Sequence, residues 1–207
     1  KYGIIEDDFI SAELEVVPTY KAKDVGLDRG LIGAYGQDDR VCAYTALEAI
    51  LDCEAPKTTA ITILTDKEEI GSMGNTGLQS AYLKHFIYSI AEAEGVACPT
   101  VLAHSKCLSA DVNAALDPTF QEVSERRNAS QVNYGVVVTK YTGARGKSGT
   151  SDASAEYMAY VRNMLDTAGI VWQTGELGKV DAGGGGTVAM YIANMGVDVV
   201  DLGVPVL

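Results

Sequence analysis

Apolar and β-branched residues gather in short runs bounded by glycine, proline and charged residues. Runs of this length and composition predict β-strands, because side chains that branch at the β-carbon pack well on a pleated surface. The run from Thr58 to Leu64 is apolar or β-branched throughout, which predicts a buried strand. In all, the pattern predicts strands at residues 13–20, 58–64, 100–108, 135–142, 170–174 and 197–202.

Between these runs the apolar spacing changes to three and four residues, which places the apolar side chains on one face of a helix. The spacing predicts helices at residues 41–52, 78–94, 151–168 and 188–195, with Ser151 or Asp152 as the N-cap of the third. Strands that alternate with helices are typical of α/β proteins. We therefore predict a layered αβα domain with a largely parallel mixed sheet, whose functional side chains collect at the carboxyl ends of the strands.

Composition and charge narrow the classes of function. The 207 residues are enough for one sizeable domain with its own core. The net charge of −12, from 28 acidic and 16 basic residues, repels phosphate backbones, so we expect no nucleic-acid partner. No apolar run approaches the roughly 20 residues that a membrane helix needs, so we expect no membrane partner.

The cysteines and the chain ends indicate the setting of the protein. Cys42, Cys53, Cys98 and Cys107 show no CxxC spacing, which favours free thiols in a reducing cytoplasm over disulfides. The chain starts at Lys1 without an initiator Met and stops on an apolar run that reads as an unfinished strand. We therefore expect a segment of a longer protein.

Three acidic clusters follow or flank predicted strands and helices. Glu68–Glu69 comes directly after the strand at 58–64, Asp111 comes just after the strand at 100–108, and Asp38–Asp39 precedes the first helix. We expect them to reach one rim of the sheet, where carboxylates raise one another's pKa values unless a cation offsets the repulsion. Two divalent cations roughly 3.5–4 Å apart would use these carboxylates, with one free carboxylate to accept a proton from water. The alternative for Glu68–Glu69 taken alone is a solvated acidic turn.

Two further features permit more than one interpretation. The loop from Asp181 to Thr187 lacks the lysine and the strand-to-helix context of phosphate-binding loops, so we interpret Gly184 and Gly185 as letting a substrate backbone approach. Lys140 is either a substrate contact or a surface lysine at a strand end. His85 and His104 are interpreted as surface or packing residues rather than metal ligands.

Three stretches, in the same order, resemble the signatures of the aspartyl aminopeptidases, a family of two-metal zinc aminopeptidases. They are G-A-Y-G-Q-D-D-R-V-C-A-Y-T-A-L at 33–47, T-D-K-E-E-I-G-S-M-G at 65–74 and L-S-A-D-V at 108–112. The resemblance extends from about Asp24 to the end of the chain. It implies a zinc-peptidase-like fold and a hydrolase that removes the N-terminal residue of peptides through a metal-activated water. It also implies two zinc ions, although cobalt and manganese accept the same ligands.

Carried over by position, the resemblance implies that Asp38 bridges both metals and that Glu68 is the general base. It implies that Glu69 binds one metal and Asp111 the other. The peptide bond after the bridging aspartate is cis in related two-metal peptidases, so a cis Asp38–Asp39 bond is implied here. The two histidine ligands of the family have no counterpart in this sequence; we expect one before Lys1 and one just beyond Leu207.

The resemblance also bears on domains and assembly. Residues 1–33 resemble the end of an inserted dimerisation domain, and residues 34–207 the catalytic domain. This implies a homo-oligomer in which dimers assemble into a dodecamer. Ala114 and Asp117 occupy positions where many family members carry histidines, so strict preference for N-terminal Asp or Glu is not implied. A related glutamyl or deblocking-type two-metal aminopeptidase, or a non-catalytic assembly module, remain alternatives.

Overall fold

The computed structural model describes residues 1–144, 148–149, 151–179 and 181–207. They form two compact units, Lys1–Gln37 and Asp38–Leu207. The first unit contains a 3-10 helix at Glu6–Phe9 and an antiparallel pair of strands, β1 (Lys23–Val25) and β2 (Leu31–Gly33).

The strand predicted at 13–20 is wrong, because these residues adopt no regular structure. The side chains of Leu14 and Val16 are exposed. Strand propensity reflects packing on a sheet, and no described residue pairs with this run in a ladder.

The remaining elements alternate as expected for an α/β protein. In chain order they are α1 (Gln37–Leu51), α2 (Tyr82–Ala93), α3 (Cys98–Ala103), β3 (Lys106–Ser109), β4 (Asn113–Ala114), β5 (Val136–Thr139), β6 (Gly143–Ala144), α4 (Ala155–Thr167), β7 (Trp172–Thr174), β8 (Gly184–Gly185), α5 (Ala189–Ala193), β9 (Asp198–Gly203) and β10 (Pro205–Val206). A further 3-10 turn covers Glu68–Ile70 and another covers Gln121–Val123.

The central sheet has four strands in the order β3–β9–β5–β7. β3 runs parallel to β9, β5 runs parallel to β7, and the β9–β5 pair is antiparallel. This confirms the predicted mixed sheet that is largely parallel. Two short parallel strands, β4 and β10, continue from β3 and β9.

Helices cover both faces of the sheet, as β9 demonstrates. Neighbouring residues on a strand point to opposite faces. Val200 packs in a core with Val161 and Leu165 of α4. Val199 packs in a second core with Leu83 of α2 and Ile192 of α5. The layered αβα prediction is therefore confirmed.

Two other predicted elements differ from the structure. The strand predicted at 58–64 is not formed, and the side chains of Ile61 and Ile63 are exposed, because no described strand pairs with this extended segment. The strand predicted at 100–108 is wrong in its first half, where α3 forms with Pro99 in its first turn. Proline is pre-organised for that position, and this outweighs the β-branched residues that follow.

Local chemistry also corrects one helix boundary. Helix α4 begins after Ser154, whose hydroxyl accepts a hydrogen bond from the backbone N–H of Tyr157 at 3.1 Å. Ser154 is therefore the cap in place of Ser151 or Asp152.

The four cysteines are free thiols. In the described part of the chain, no helix is both long and apolar enough to cross a membrane.

Candidate active site

The first two carboxylates stand at the start of α1, where the backbone is not yet helical. Asp38 has φ −85° and ψ 110°, and Asp39 has φ −116° and ψ 32°. The peptide bond that joins them is cis, as the resemblance implied. Asp38 is exposed, and Asp39 is half-buried beside the thiol of Cys42.

Glu68 and Glu69 lie on a tight turn that local residues define. The turn is a 3-10 helix, Glu68–Ile70, flanked by Lys67 with φ 64° and Gly71 with φ 101°. The backbone N–H of Ser72 donates to the carbonyl oxygen of Lys67 at 2.7 Å. This bond closes the turn, so both glutamates project from a fixed loop.

Gly77 packs against the backbone of this turn from outside it. A β-carbon at Gly77 would lie 2.3 Å from the carbonyl oxygen of Ser72 and 2.7 Å from that of Met73, closer than real contacts of this kind. The backbone N–H of Gln79 also donates to the Ser72 oxygen at 3.0 Å. The segment that carries the two glutamates therefore packs directly on a residue without a side chain.

Asp111 approaches from the sheet. It follows β3, and its Oδ1 accepts a hydrogen bond from the backbone N–H of Val112 at 2.8 Å. Burial, followed by the negative charges of Asp38, Asp39 and Glu68, raises the pKa of Asp111 to about 7. The Asp111 carboxylate therefore lies in a negatively charged and partly dehydrated environment.

The predicted carboxylates converge. Oxygens of Asp38, Asp39 and Asp111 lie within 4.8 Å of one another. The charge of Asp38, then burial and a hydrogen bond to Asp38, raise the pKa of Glu69. Burial raises the pKa of Glu68, and the charges of Glu69, Asp38 and Asp39 add to this. All five side chains line one cavity of about 580 Å³, whose wall also includes residues 61–66 and 107–110.

This group of side chains fits divalent cations. Oδ1 of Asp39 is buried and has no hydrogen-bond partner among the described residues. Burial, then the charge of Asp38, raise the pKa of Asp39, although a hydrogen bond with Cys42 opposes the shift. A cation relieves the repulsion that these shifts express, and carboxylate oxygens bind zinc and other divalent ions.

Comparison with known proteins identifies the family. A family model described as "Aminopeptidase I zinc metalloprotease (M18)" matches residues 1–207. This chain belongs to the M18 family. It is 50% identical over 211 residues to a probable M18 family aminopeptidase 1 of Clostridium acetobutylicum, covering 100% of this chain and 45% of that protein. The resemblance to aspartyl aminopeptidases is thereby confirmed, and zinc is the metal named in the family description.

Solved structures agree with this assignment. The M18 chain matches the crystal structure of the M18 aminopeptidase from Thermotoga maritima with a TM-score of 0.93 and 49% identity, covering 100% of this chain and 47% of that one. It matches a dodecamer, S. cerevisiae mApe1, with a TM-score of 0.65 and 25% identity over 89% of this chain and 41% of that one. The chain spans about half the length of the curated relatives that it matches.

The predicted substrate-binding residues of the M18 chain are not among the described residues that line the cavity. The ammonium of Lys140 pairs with the carboxylate of Asp152 at 2.5 Å and lies over the ring of Tyr141. Gly184 and Gly185 form β8, which pairs antiparallel with β6. Their role in substrate binding stays a prediction.

One acidic residue near the site received no metal role from the sequence. Asp39 lies in the same oxygen cluster as Asp38 and Asp111, and the only sequence signal was the Asp–Asp dipeptide itself. His85 and His104 are exposed, and neither is among the described residues of the M18 chain that line the cavity. His85 lies on the surface of α2 as interpreted, whereas His104, expected to pack within a strand, is an exposed residue at the C-terminal end of α3.

Proposed function

We propose that the protein carrying this chain is a metallo-aminopeptidase, which removes the N-terminal residue of peptides by hydrolysing the first peptide bond with a metal-activated water. The observation that carries the proposal is the convergence of Asp38, Glu68, Glu69 and Asp111 on one cavity, although three separate segments supply them. Gathering four carboxylates costs free energy in the absence of a cation. The family membership of the chain supports the same function.

Each carboxylate has a proposed task. Asp38, whose oxygens lie near those of Asp111 and whose side chain interacts with Glu69, would be a ligand shared by two ions, with Glu69 as a further ligand of one ion and Asp111 of the other. Zinc ions held there would supply Lewis-acid activation of a water molecule and of the scissile carbonyl. Glu68 would accept the proton of that water and return it to the leaving amine, so its carboxylate needs no metal of its own.

Paired substitutions of the adjacent glutamates test these tasks. Glu68→Gln in the protein that carries this chain should keep its zinc content and lose turnover by about 10²–10⁴-fold, the usual contribution of a general base. Glu69→Gln should lose zinc affinity as well. Zinc content is measured by elemental analysis, and turnover with a panel of aminoacyl substrates. Equal zinc content and equal residual activity in the two variants would contradict the proposed roles.

Lys140, Gly184 and Gly185 are proposed to contact the peptide substrate. Gly185 pairs with Gly143, three residues after Lys140, so the three proposed residues adjoin one antiparallel ribbon. Glycines let a peptide backbone approach closely. Ala114 and Asp117 differ from the residues of many relatives, so the substrate panel includes neutral and basic N-terminal residues beside Asp and Glu.

We propose that the protein assembles into dimers and that these form a dodecamer. Residues 1–33 are proposed to be the end of a dimerisation domain, with residues 34–207 belonging to the catalytic domain. In support, Ile10, Val16 and Leu27 in the first unit are 82%, 103% and 109% exposed, which is unfavourable for apolar side chains in water. One solved structure that the chain resembles is a dodecamer. A monomer in light scattering of the whole protein would contradict this proposal.

The setting is proposed to be the cytoplasm, without a nucleic-acid or membrane partner. The four free cysteines and the net charge of −12 support this. Cell fractionation that placed the protein in a membrane or secreted fraction would overturn it.

A further inference from the structure

The strand that delivers Asp111 is interrupted at Asp111 itself. In the β3–β9 pair Lys106 lies opposite Asp198, and in the β4–β10 pair Asn113 lies opposite Pro205. Both parallel pairs therefore share one register, and β3 and β4 are two parts of one broken strand. This register places Gly203 opposite Asp111, in the gap between the two pairs.

At this gap the backbone of Asp111 occupies the space of a missing side chain. A β-carbon at Gly203 would lie 1.8 Å from the carbonyl oxygen of Asp111 and 3.0 Å from its carbonyl carbon. No real β-carbon makes such contacts, and both atoms belong to the backbone, which cannot rotate away as a side chain can. Any other residue at Gly203 must push Asp111 away from β9.

The chain after Asp111 is fixed on the far side of the gap. The backbone N–H of Asn113 donates to the carbonyl oxygen of Val204 at 2.8 Å. The buried side chain of Asn113 donates to the hydroxyl of Thr139 at 3.0 Å and accepts from that of Ser130 at 2.8 Å. A displaced Asp111 therefore cannot be accommodated by sliding the following residues along β10.

We infer that Gly203 is a positioning residue, whose lack of a side chain sets the place of the Asp111 carboxylate in the metal site. The inference rests on the proposed function, because it assumes that Asp111 binds a metal ion. It concerns a residue that touches neither the cavity nor the other carboxylates. Gly203 acts only through the backbone of Asp111.

Zinc affinity of the whole protein, measured by chelator competition, is the main test. Gly203→Ala should weaken zinc binding about 10–100-fold, the range seen when groups that orient metal ligands are changed. The matched control is Val200→Ala in the same strand, which removes volume from the core beside α4 and leaves the Asp111 contact unchanged. Val200→Ala should lower the melting temperature of the zinc-free protein and leave zinc affinity within about twofold of the parent.

Asp111→Asn separates the two proposals. If Asp111→Asn leaves zinc affinity unchanged, the proposed metal site is wrong. If Asp111→Asn weakens zinc binding but Gly203→Ala does not, the proposed site stands and the positioning role of Gly203 is overturned. In the Asp111→Asn background, Gly203→Ala should have no further effect on zinc affinity, and a second full loss would show that Gly203 acts by another route.

A measurement on the unaltered protein covers the case in which Gly203→Ala does not fold. Zinc should slow amide hydrogen exchange in residues 111–115 and in residues 203–206 together, because the two backbones are in contact at Gly203. Residues 155–167 of α4, which is not a member of the strand ladder, serve as the internal reference. Protection of residues 111–115 alone would overturn the inference.

Discussion

Two regions deliver carboxylates to the same cavity by different means. The sheet region, β3 with β9 and residues 110–112, presents Asp111 through contacts with residues far along the chain, above all Gly203. The turn region, residues 65–79, presents Glu68 and Glu69 through bonds within a few residues, such as the one from Ser72 to Lys67.

The difference appears in the electrostatics of the two regions. Burial is the largest cause of the raised pKa of Asp111, whereas the charge of Asp38 is the largest cause for the exposed Glu69. A group fixed by a packed sheet loses its water, and a group on a surface turn keeps most of it. Substitutions of buried acidic residues in the sheet region should therefore act mainly through dehydration, and substitutions in the turn region mainly through position.

The largest effect is expected in the sheet region, at Asp201 of β9. Its side chain is 7% exposed, and Oδ1 has no hydrogen-bond partner among the described residues. Burial raises the pKa of Asp201 to about 6 from an ordinary 3.8, although hydrogen bonds with the hydroxyls of Thr187 and Ser109 oppose this shift. The thiol of Cys107 is a titratable group that faces the Asp201 carboxylate. Asp201→Asn should stabilise the fold near neutral pH, because the uncharged amide replaces a buried charge.

The sign follows from proton linkage. The folded protein holds the Asp201 proton more tightly than the unfolded chain, so the stability from this proton is complete below about pH 4 and is lost as the pH rises to about 6. Asp201→Asn should therefore gain up to about 3 kcal/mol over the parent at pH 7 and almost nothing at pH 4. Denaturant unfolding with chelator present measures this difference at each pH. A difference that does not change with pH would contradict the prediction.

The next effect is expected in the turn region, at Gly77. Gly77→Ala must displace the backbone at Ser72 and Met73, and with it the turn that carries both glutamates. We expect kcat to fall roughly 10–100-fold, equivalent to about 1.4–2.7 kcal/mol, because small misplacements of catalytic groups carry such costs. Steady-state kinetics at saturating zinc measures the loss.

Gly95→Ala is the matched control for Gly77→Ala. Gly95 has φ +68° and no neighbour within 4 Å of a β-carbon, so alanine there strains the backbone without touching the site. It should cost about 1 kcal/mol of folding stability and leave kcat unchanged. If Gly77→Ala also spares kcat, local bonds alone hold the turn and the packing on Gly77 is irrelevant to the site.

The smallest effect is expected at Lys140, just beyond the end of β5, where the sheet meets solvent. The side chains of its ion pair with Asp152 are 36% and 53% exposed, and such pairs contribute about 0.2–1 kcal/mol to stability. Lys140→Ala should lower stability by no more than that and raise KM about 3–5-fold through loss of a substrate contact. Asp152→Ala should match the stability change and leave KM unchanged, and equal KM values in both variants would remove Lys140 from the substrate site.

Local pattern was a good guide wherever local interactions decide the structure. The helical spacing near 41–52 and 78–94 matches α1 and α2, the run at 135–142 contains β5, and the run at 197–202 covers β9 up to its last residue. The predicted strands at 13–20 and 58–64 were wrong: both runs have the composition of strands, but no described strand pairs with either. The strand prediction was also wrong at Cys98–Ala103, where a proline in the first turn stabilised a helix.

For the site, the sequence by itself determined which residue types are present and that Glu68 and Glu69 follow directly after the apolar run at 58–64. Its resemblance to a known family gave the four carboxylates and their proposed roles. Only the tertiary structure brought Asp39 into the same oxygen cluster, and only it revealed that Gly77 and Gly203 make room for the segments that carry the site. The physical reason is that a close approach between backbones depends on the space left by both chains, and spacing along one chain does not encode that space.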